Sequence, residues 1–362
     1  MNNTNSSLPR VLLDLSILKH PYCGLGQIAL NYVRFISTAD MSVLPFRMVL
    51  LVPKKFYGCC GDKVDYVPRG AVFRHFPWLY PKVEIWHAMH QLSSYRPYSR
   101  DTKYLLTIHD FNFEYEKTSR KLERDRRSMQ RKIDRADCIT CISHFTESEL
   151  SRWMRRPENT PVQVIYNGVE WAAAGSPDRC PPGVDTGKPF FFSIGEIKEK
   201  KNFMAAVRMM EFFPDYNLYI AGKDSTPYAD EIRSYVRSNR LSNVFLLGIV
   251  ENAERQWLYS HCEAFLFPSL FEGFGLPVIE AMSFGKPVFS SAATSLAEIG
   301  AGHACFWTDF APEAMAEVVK GNLPRLLQDE GLREKRIEYA HTFSYEKHMQ
   351  QYFELYARLL GK

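Results

Sequence analysis

Short apolar runs alternate with amphipathic stretches along the first half of the chain: Val11–Leu15, the helix-like Ile28–Ile36, then Met48–Val52, Lys82–Trp86 and Tyr104–Ile108. Strand, helix, strand in that rhythm predicts a doubly wound parallel sheet, with Asp137–Ile142 and Val162–Ile165 as its last strands. From Glu170 to Lys188 the pattern lapses into Ala-Ala-Ala-Gly-Ser-Pro and Cys-Pro-Pro-Gly, residues that break regular structure. It then restarts with Phe190–Ile194, Asn217–Ile220, Val244–Leu247, Ala264–Phe267 and Pro287–Phe289, each followed by helix-like sequence. Residues 1–170 and 189–344 are therefore expected to be two Rossmann-like α/β domains joined by a linker over 171–188. Tyr345–Leu360 carries apolar residues at helical spacing, and in folds of this kind such a helix (345–362) can cross back onto the first domain. Ligands of open parallel sheets bind beyond the carboxyl ends of the strands, here expected to face a central cleft. The residues just after strands are thus the ones to weigh.

Composition narrows this little further. A chain of 362 residues, 46% hydrophobic and without a long polar tract, supports two ordinary cores and excludes disorder. A net charge of +4 is too weak to point to nucleic acid. Met1–Pro9 lacks the basic start and apolar core of a secretory signal, and no apolar run approaches the roughly 18 to 20 residues that span a bilayer. A cytoplasmic location is expected. Eight cysteines without regular spacing fit reduced thiols, and Cys138 and Cys141, in an alternating strand-like stretch, read as core rather than as a metal or redox pair.

The densest chemistry follows the strand Ala264–Phe267: Glu272-Gly273-Phe274-Gly275-Leu276-Pro277, then Glu280. Pro277 suits the first helical position, where its missing N–H would be unpaired anyway. Gly273 and Gly275 permit backbone approaches that a side chain would block. Free N–H groups at the helix start, with its partial positive charge, form an anion site suited to a diphosphate. Carboxylates at Glu272 and in the first turn at Glu280 suit the hydroxyls of a sugar and a ribose. Taken singly, Glu280 reads equally as an acid favouring the helix dipole and Glu272 as a solvated loop charge.

Taken whole, Phe-Glu-Gly-Phe-Gly-Leu-Pro-Val-Ile-Glu-Ala-Met followed by Gly285-Lys-Pro-Val288 closely resembles the signature of the family 4 glycosyltransferases, whose centre is two Glu residues with seven residues between them. The resemblance extends to Ser193-Ile-Gly195 with Lys200-Lys201-Asn202, Leu247-Gly248-Ile-Val250 and Ser295-Leu-Ala-Glu298, and in the first half to Thr107-Ile-His109-Asp110, Ser143-His-Phe-Thr-Glu-Ser and Ile165-Tyr-Asn167-Gly168-Val169. It implies the GT-B fold and retaining transfer from a nucleotide diphosphate sugar, without a metal or other cofactor. By resemblance, Glu272 and the amides of Gly273, Phe274, Gly275 and Leu276 hold the donor sugar and diphosphate, Glu280 binds the ribose, Gly195 and Lys200 serve the phosphates, and Val250 lies at the base. The resemblance also implies that His109 contacts the donor sugar or the reacting centre. Gly24 and Gly26, a weak motif alone, are implied by the same resemblance to lie above the diphosphate and acceptor.

A fixed cation stabilises a departing diphosphate more in the transition state than before it, and Lys201, after a strand and before Asn202 as a plausible helix cap, is placed for that work. Many relatives carry Arg just after the glycine, where this chain has Glu196; Lys200 or an arginine of the first domain is the replacement to look for. His87 and His90 also follow a strand, which raises a metal alternative with His109 and Asp110. Against it, no Asp-x-Asp pair of the metal-dependent transferases occurs.

Lys117–Arg135 is strongly basic and helical in pattern, and Arg152-Trp153-Met154-Arg155-Arg156 sets an aromatic among further cations. Either the helix is a solvated face or it meets an anionic membrane surface or a phosphate-linked acceptor, placing the protein peripherally on the inner membrane face. Without a recognised binding module, nucleic acid is not the expected partner. The expectation is transfer of a hexose, mannose or glucose class, to a hydroxyl of a glycan or lipid-linked acceptor in surface polysaccharide, lipopolysaccharide or glycolipid assembly. Two rivals stand beside it: a nucleotide-sugar epimerase of the same fold, and a noncatalytic basic membrane-binding protein.

Overall fold

A computed structural model of the chain describes residues 8–21, 23–116, 119–169 and 179–362. It divides into two compact units, residues 1–168 with 345–362, and residues 169–344.

The first unit is built on seven parallel strands: β1 (Arg10–Asp14), β2 (Arg47–Val52), β3 (Asp65–Pro68), β4 (Ile85–Ala88), β5 (Lys103–Ile108), β6 (Cys138–Cys141) and β7 (Val162–Val164), in the order β3-β2-β1-β4-β5-β6-β7. The central strands are buried along nearly their whole length, as helices on both faces of a parallel sheet require. β3 escapes the apolar pattern because it is an edge strand whose Asp65 is paired with Arg10 at 3.2 Å and Arg47 at 3.1 Å. β4 starts later than Lys82 because its register on β1 sets Leu12 beside Trp86 and Leu13 beside His87, carrying the strand through a histidine.

That histidine is satisfied internally. His87 Nδ1 lies 2.6 Å from the Tyr356 hydroxyl and Nε2 2.7 Å from Thr107 Oγ1. Tyr356 belongs to the Tyr345–Leu359 helix, which buries Tyr345, His348, Met349, Tyr352, Leu355 and Tyr356 along one face. His348 bridges the Tyr32 hydroxyl at 2.8 Å and the Tyr166 carbonyl at 2.7 Å, and the Tyr352 hydroxyl sits 3.1 Å from both Thr107 and Thr140. The last helix is thus joined to the first unit by aromatic packing and a satisfied buried polar network, the arrangement that makes such groups tolerable away from water.

The second unit carries β8 (Phe190–Ile194), β9 (Asn217–Ala221), β10 (Val244–Gly248), β11 (Ala264–Phe267), β12 (Val288–Ser291) and β13 (Cys305–Trp307), all parallel, in the order β10-β9-β8-β11-β12-β13. Phe191, Leu218, Ile220, Leu266 and Phe289 meet the Phe203–Met209 and Pro312–Gln328 helices in its core. β13 is a three-residue edge strand, too short to leave a period. Of the stretch read as a linker, residues 171–178 lie outside the described residues. The remainder lies along the second unit: Arg179 pairs with Glu251 at 2.9 Å and Glu254 at 3.0 Å, and the Asp185 amide donates to the Tyr219 hydroxyl at 2.8 Å.

Burial holds four histidines neutral, pushing His87 and His90 down to about 3 and His109 and His348 down to about 4. The unfolded chain protonates them near their ordinary value of about 6.5. Their contribution to stability is therefore complete above about pH 6.5 and is lost as the pH falls towards 4, with a slope approaching one proton per histidine. Denaturant midpoints are expected to drop between about pH 7 and about pH 4.5, and His348→Gln to remove about one proton from the slope. A flat profile would contradict neutral burial.

Candidate functional site

Glycine closes each of three adjacent strands in the second unit. Gly195 follows β8 (φ +154°) and its amide donates to the Ala221 carbonyl at 2.9 Å; Gly222 follows β9 (φ +134°) and donates to the Gly248 carbonyl at 2.7 Å. A Cβ on Gly222 would stand 2.0 Å from the Gly195 carbonyl oxygen, so only glycine lets these strand ends approach. Gly222 was not singled out from sequence, although a glycine recurring directly after Ile194, Ala221 and Leu247 is the signal for it.

The same packing aims Lys201. A Cβ on Gly195 would lie 3.3 Å from Lys201 Cε, so the lysine stem crosses the strand end where no side chain obstructs it. Its ammonium pairs with the Glu272 carboxylate and stands 5.1 Å from the centroid of the Phe267 ring. Both side chains are about 15% exposed: 14% for Lys201 and 15% for Glu272. Lys201 ends a 3-10 turn, Glu199–Lys201, and Asn202 takes a left-handed conformation (φ +52°) without capping the Phe203–Met209 helix through its side chain. The expected Asn202 cap is therefore absent, the left-handed turn being a role Asn tolerates well. The Lys200 carbonyl accepts from the Leu270 amide at 2.7 Å and the Ser269 hydroxyl at 3.2 Å, tying the loop after β8 to the loop after β11.

From the other side, the segment after β12 grips the glycine loop. The Glu272 amide donates to Thr294 Oγ1 at 3.1 Å, and Ser295 Oγ lies 2.9 and 2.8 Å from the carbonyl oxygens of Glu272 and Phe274. Phe274 is buried against Phe343 at 5.9 Å between ring centroids. Gly275 (φ +116°) precedes the Leu276–Ser283 helix, and a Cβ there would meet Leu296 at 2.6 Å. Gly273 lies between Glu272 and Phe274, inside the gripped stretch. Pro277 is the second helical residue rather than the first, and Glu280 the fifth, beyond the first turn where it was expected. No acid occupies that turn, so its amides keep their pull on an anion.

Glu280 is held from below. The buried Tyr259 hydroxyl donates to Oε2 at 2.8 Å and Arg255 stands 3.7 Å from Oε1. Tyr259 was not singled out from sequence, since one tyrosine in an amphipathic helix leaves no mark. Val250 is half-buried beyond Gly248. Glu196 pairs with Lys198 at 2.9 Å and Lys223 at 3.9 Å, so two lysines surround the acid that stands where Arg was expected.

In the first unit, His109 lies just beyond β5, buried. Its amide donates to Gln91 Oε1 at 3.1 Å and its Nε2 to the Met89 carbonyl at 2.8 Å. A carbonyl can only accept, so Nε2 carries the proton and the neutral ring presents Nδ1 as an acceptor. Asp110 accepts from the Asn112 amide at 3.0 Å. His87 lies within β4 rather than after it, with both nitrogens committed as described above. Among the described residues, no group of three or more His, Cys, Asp or Glu stands together as metal ligands. Gly26 sits in the first turn of the Gly24–Thr38 helix, where a Cβ would strike the His20 carbonyl at 2.1 Å; at Gly24 it would meet open space. Cys138 and Cys141 are buried in β6, and burial pushes both thiols up, Cys138 to about 11.

The basic helix is Ser119–Arg135; Lys117 lies outside the described residues. Several of its cations are structural: Arg126 pairs with Glu114, Lys132 donates to the Gln91 carbonyl, and Arg135 donates to the Thr102 carbonyl at 2.6 Å. Beyond it, Arg152 lies over the Trp153 ring at 4.8 Å. Among the described residues no helix is long and apolar enough to cross a membrane.

Two parallel-sheet α/β units of this kind, with a glycine loop opening a helix after a central strand, are the architecture of the GT-B fold. Among solved structures, sucrose-phosphate synthase from Thermosynechococcus elongatus superposes with a TM-score of 0.71 over 97% of this chain and 98% of its own, at 19% identity. HepE of Anabaena, solved with UDP-glucose, also reaches 0.71, over 97% and 100%, at 14% identity. The model of Glycosyl transferases group 1 matches residues 177–343 and that of Glycosyltransferase Family 4 matches residues 54–171. The O-antigen chain mannosyltransferase B of Escherichia coli is 24% identical over 97% of this chain and its own full length. The GDP-mannose:cellobiosyl-diphosphopolyprenol alpha-mannosyltransferase of Komagataeibacter xylinus is 29% identical over 41% of this chain and 38% of its own. The chain belongs to the family 4 glycosyltransferases.

Gly222→Ala is expected to cost about 3 kcal/mol or more in denaturant unfolding, because both conformation and space oppose it. Gly302, also at positive φ (+79°) but with open space around it, should lose only about 1 kcal/mol on the same change. Equal losses would show that the close approach of Gly195 and Gly222 is not a constraint.

Proposed function

We propose that this glycosyltransferase is a retaining mannosyltransferase that moves mannose from a nucleotide diphosphate sugar to a hydroxyl of a glycan or lipid-linked acceptor in the assembly of a surface polysaccharide. The observation that carries the reading is the convergence of Lys201 and Glu272 beside a glycine loop that opens a helix. Mannose is favoured over glucose because relatives named as mannosyltransferases align with this chain, one along its full length. A nucleotide sugar donor is supported by the neighbour solved with UDP-glucose.

Lys201 and Glu272 neutralise each other until the donor enters. The diphosphate then draws the ammonium and the helix amides, while Glu272 turns to the sugar hydroxyls. As the bond from the anomeric carbon to the phosphate oxygen breaks, negative charge grows on the diphosphate, where a preorganised cation and amides act most strongly. The acceptor oxygen attacks from the face the diphosphate leaves, its proton passing to a departing phosphate oxygen, so the configuration is kept. Glu280, with Oε2 held by Tyr259, presents Oε1 to a ribose hydroxyl. His109 accepts a sugar hydroxyl at Nδ1. Neither step calls for a metal. The basic helix Ser119–Arg135 is proposed to hold the protein peripherally on an anionic membrane surface.

A panel of nucleotide sugars followed by product NMR tests the reaction. Transfer from GDP-mannose with an unchanged anomer is expected, and turnover should survive EDTA; an inverted product would defeat the mechanism, and loss of activity in chelator would defeat metal independence. Lys201→Ala and Glu272→Ala should each lower kcat/KM by about a hundredfold or more with circular dichroism unchanged. Tyr259→Phe should raise the donor KM severalfold with little change in kcat, and an unaltered KM would remove Glu280 from donor binding.

A further inference from the structure

Among the described residues, ten of the twelve large hydrophobic side chains that stand exposed belong to the first unit, and five of them gather on two short segments. Val72 lies on the turn Ala71–His75, Trp78 and Leu79 on the turn Pro77–Leu79, Phe76 between the two, and Tyr98 on the loop after β4. Three of them are neighbours in space: the Phe76 and Trp78 rings are 5.1 Å apart and the Trp78 and Tyr98 rings 5.9 Å apart, centroid to centroid. Yet Trp78 is 55% and Tyr98 69% exposed, so this aromatic contact covers little of either ring. Scattered exposed apolar residues need no explanation, but a contiguous patch marks a surface that meets something.

What surrounds the patch points to its partner. Between Tyr66 and Arg100 the chain holds five Lys or Arg residues and one acid, Glu84. The patch is also continuous with the basic helix: Arg135, in that helix's last turn, donates to the Ser99 carbonyl at 3.3 Å and the Thr102 carbonyl at 2.6 Å, directly after Tyr98. Lys132, one turn earlier, donates to the carbonyl of Gln91, beside the exposed Leu92. Ser119–Arg135 itself carries eight Lys or Arg against three acids, and Arg120, Arg124, Arg127 and Arg131 recur at helical spacing on its exposed side. An apolar patch rich in Trp and Tyr and bordered by cations is the chemistry of a surface that lies in the headgroup region of an anionic bilayer, with the rings at the boundary of the acyl chains and the cations on the phosphates.

We propose that Phe76, Trp78, Leu79 and Tyr98 form the apolar anchor of a monotopic membrane contact, inserting beside the basic helix into the interface of an anionic bilayer. The inference rests on the reading of that helix as lipid-facing and adds the part that electrostatics alone does not supply. Charge brings the protein to the surface in a salt-dependent manner; the aromatic anchor keeps it there when salt screens the charge.

Flotation of the full chain with vesicles of phosphatidylcholine, with and without phosphatidylglycerol, tests it. Wild type should float with the phosphatidylglycerol vesicles and be only partly released by high salt. Phe76→Ala with Trp78→Ala should lower that partitioning by about tenfold or more, leaving the circular dichroism spectrum and unfolding midpoint unchanged. Brominated lipid should quench a tryptophan signal in wild type that Trp78→Phe lacks. Undiminished, fully salt-released binding of the double variant would overturn the anchor while leaving the basic helix as the lipid contact; no binding to either vesicle would overturn both. A concentration-dependent dimer in analytical ultracentrifugation, abolished by the double variant, would also overturn it by assigning the patch to a second copy of the chain.

Discussion

The ion pair between Lys201 and Glu272 joins two loops 71 residues apart in the chain, and the candidate donor site takes its form from that meeting. Neither loop reaches the pair unaided. The lysine stem crosses the strand end only because position 195 lacks a side chain, and the carboxylate is fixed because Thr294 and Ser295 clamp the backbone of Glu272 and Phe274 from the neighbouring loop. Three strand ends, β8, β11 and β12, therefore converge on one pair of charges. With both side chains mostly shielded from water, deleting either would leave the other desolvated and unpaired, which is costly. A donor that offers a diphosphate to one and hydroxyls to the other replaces both halves of the interaction at once.

A different constraint governs the first unit. Much of its polar interior is closed: His87, Thr107, Thr140, Tyr352 and Tyr356 satisfy one another, His348 is satisfied by Tyr32 and Tyr166, and together they fasten the last helix. Two buried groups stand outside this closure, since among the described residues Trp86 Nε1 and His90 Nε2 find no partner. His109, immediately beyond β5, belongs to neither category: its Nε2 is spent on Met89 and its Nδ1 is left as an acceptor. The unit thus fixes a neutral imidazole in one tautomer, which is what recognition of a hydroxyl requires.

The parallel sheets were legible in the sequence because their strands are buried on both faces and read as unbroken apolar runs: Met48–Val52, Tyr104–Ile108 and Phe190–Ile194 all fall inside observed strands. The edge strands β3 and β13 were not, one being polar and half-exposed, the other only three residues long. Around the candidate site, local order was legible as strand, glycine loop and helix. Partnerships were not: that Tyr259 holds Glu280, that Gly222 must yield to Gly195, and that Lys198 and Lys223 gather round Glu196 depend on contacts between distant segments. The basic stretch was legible as a helix, but only packing distinguishes Arg126, Lys132 and Arg135, tied into the fold, from the stripe that faces solvent.

The glycine loop, Lys201 and Glu272 are proposed to form the cradle of a nucleotide diphosphate sugar. A crystal structure with such a donor bound tests it most directly. The diphosphate is expected against the amides of Gly273 to Leu276, with the Lys201 ammonium moved from Glu272 to a phosphate oxygen and the Glu272 carboxylate on sugar hydroxyls. A donor bound elsewhere, with the Lys201–Glu272 pair intact, would contradict it.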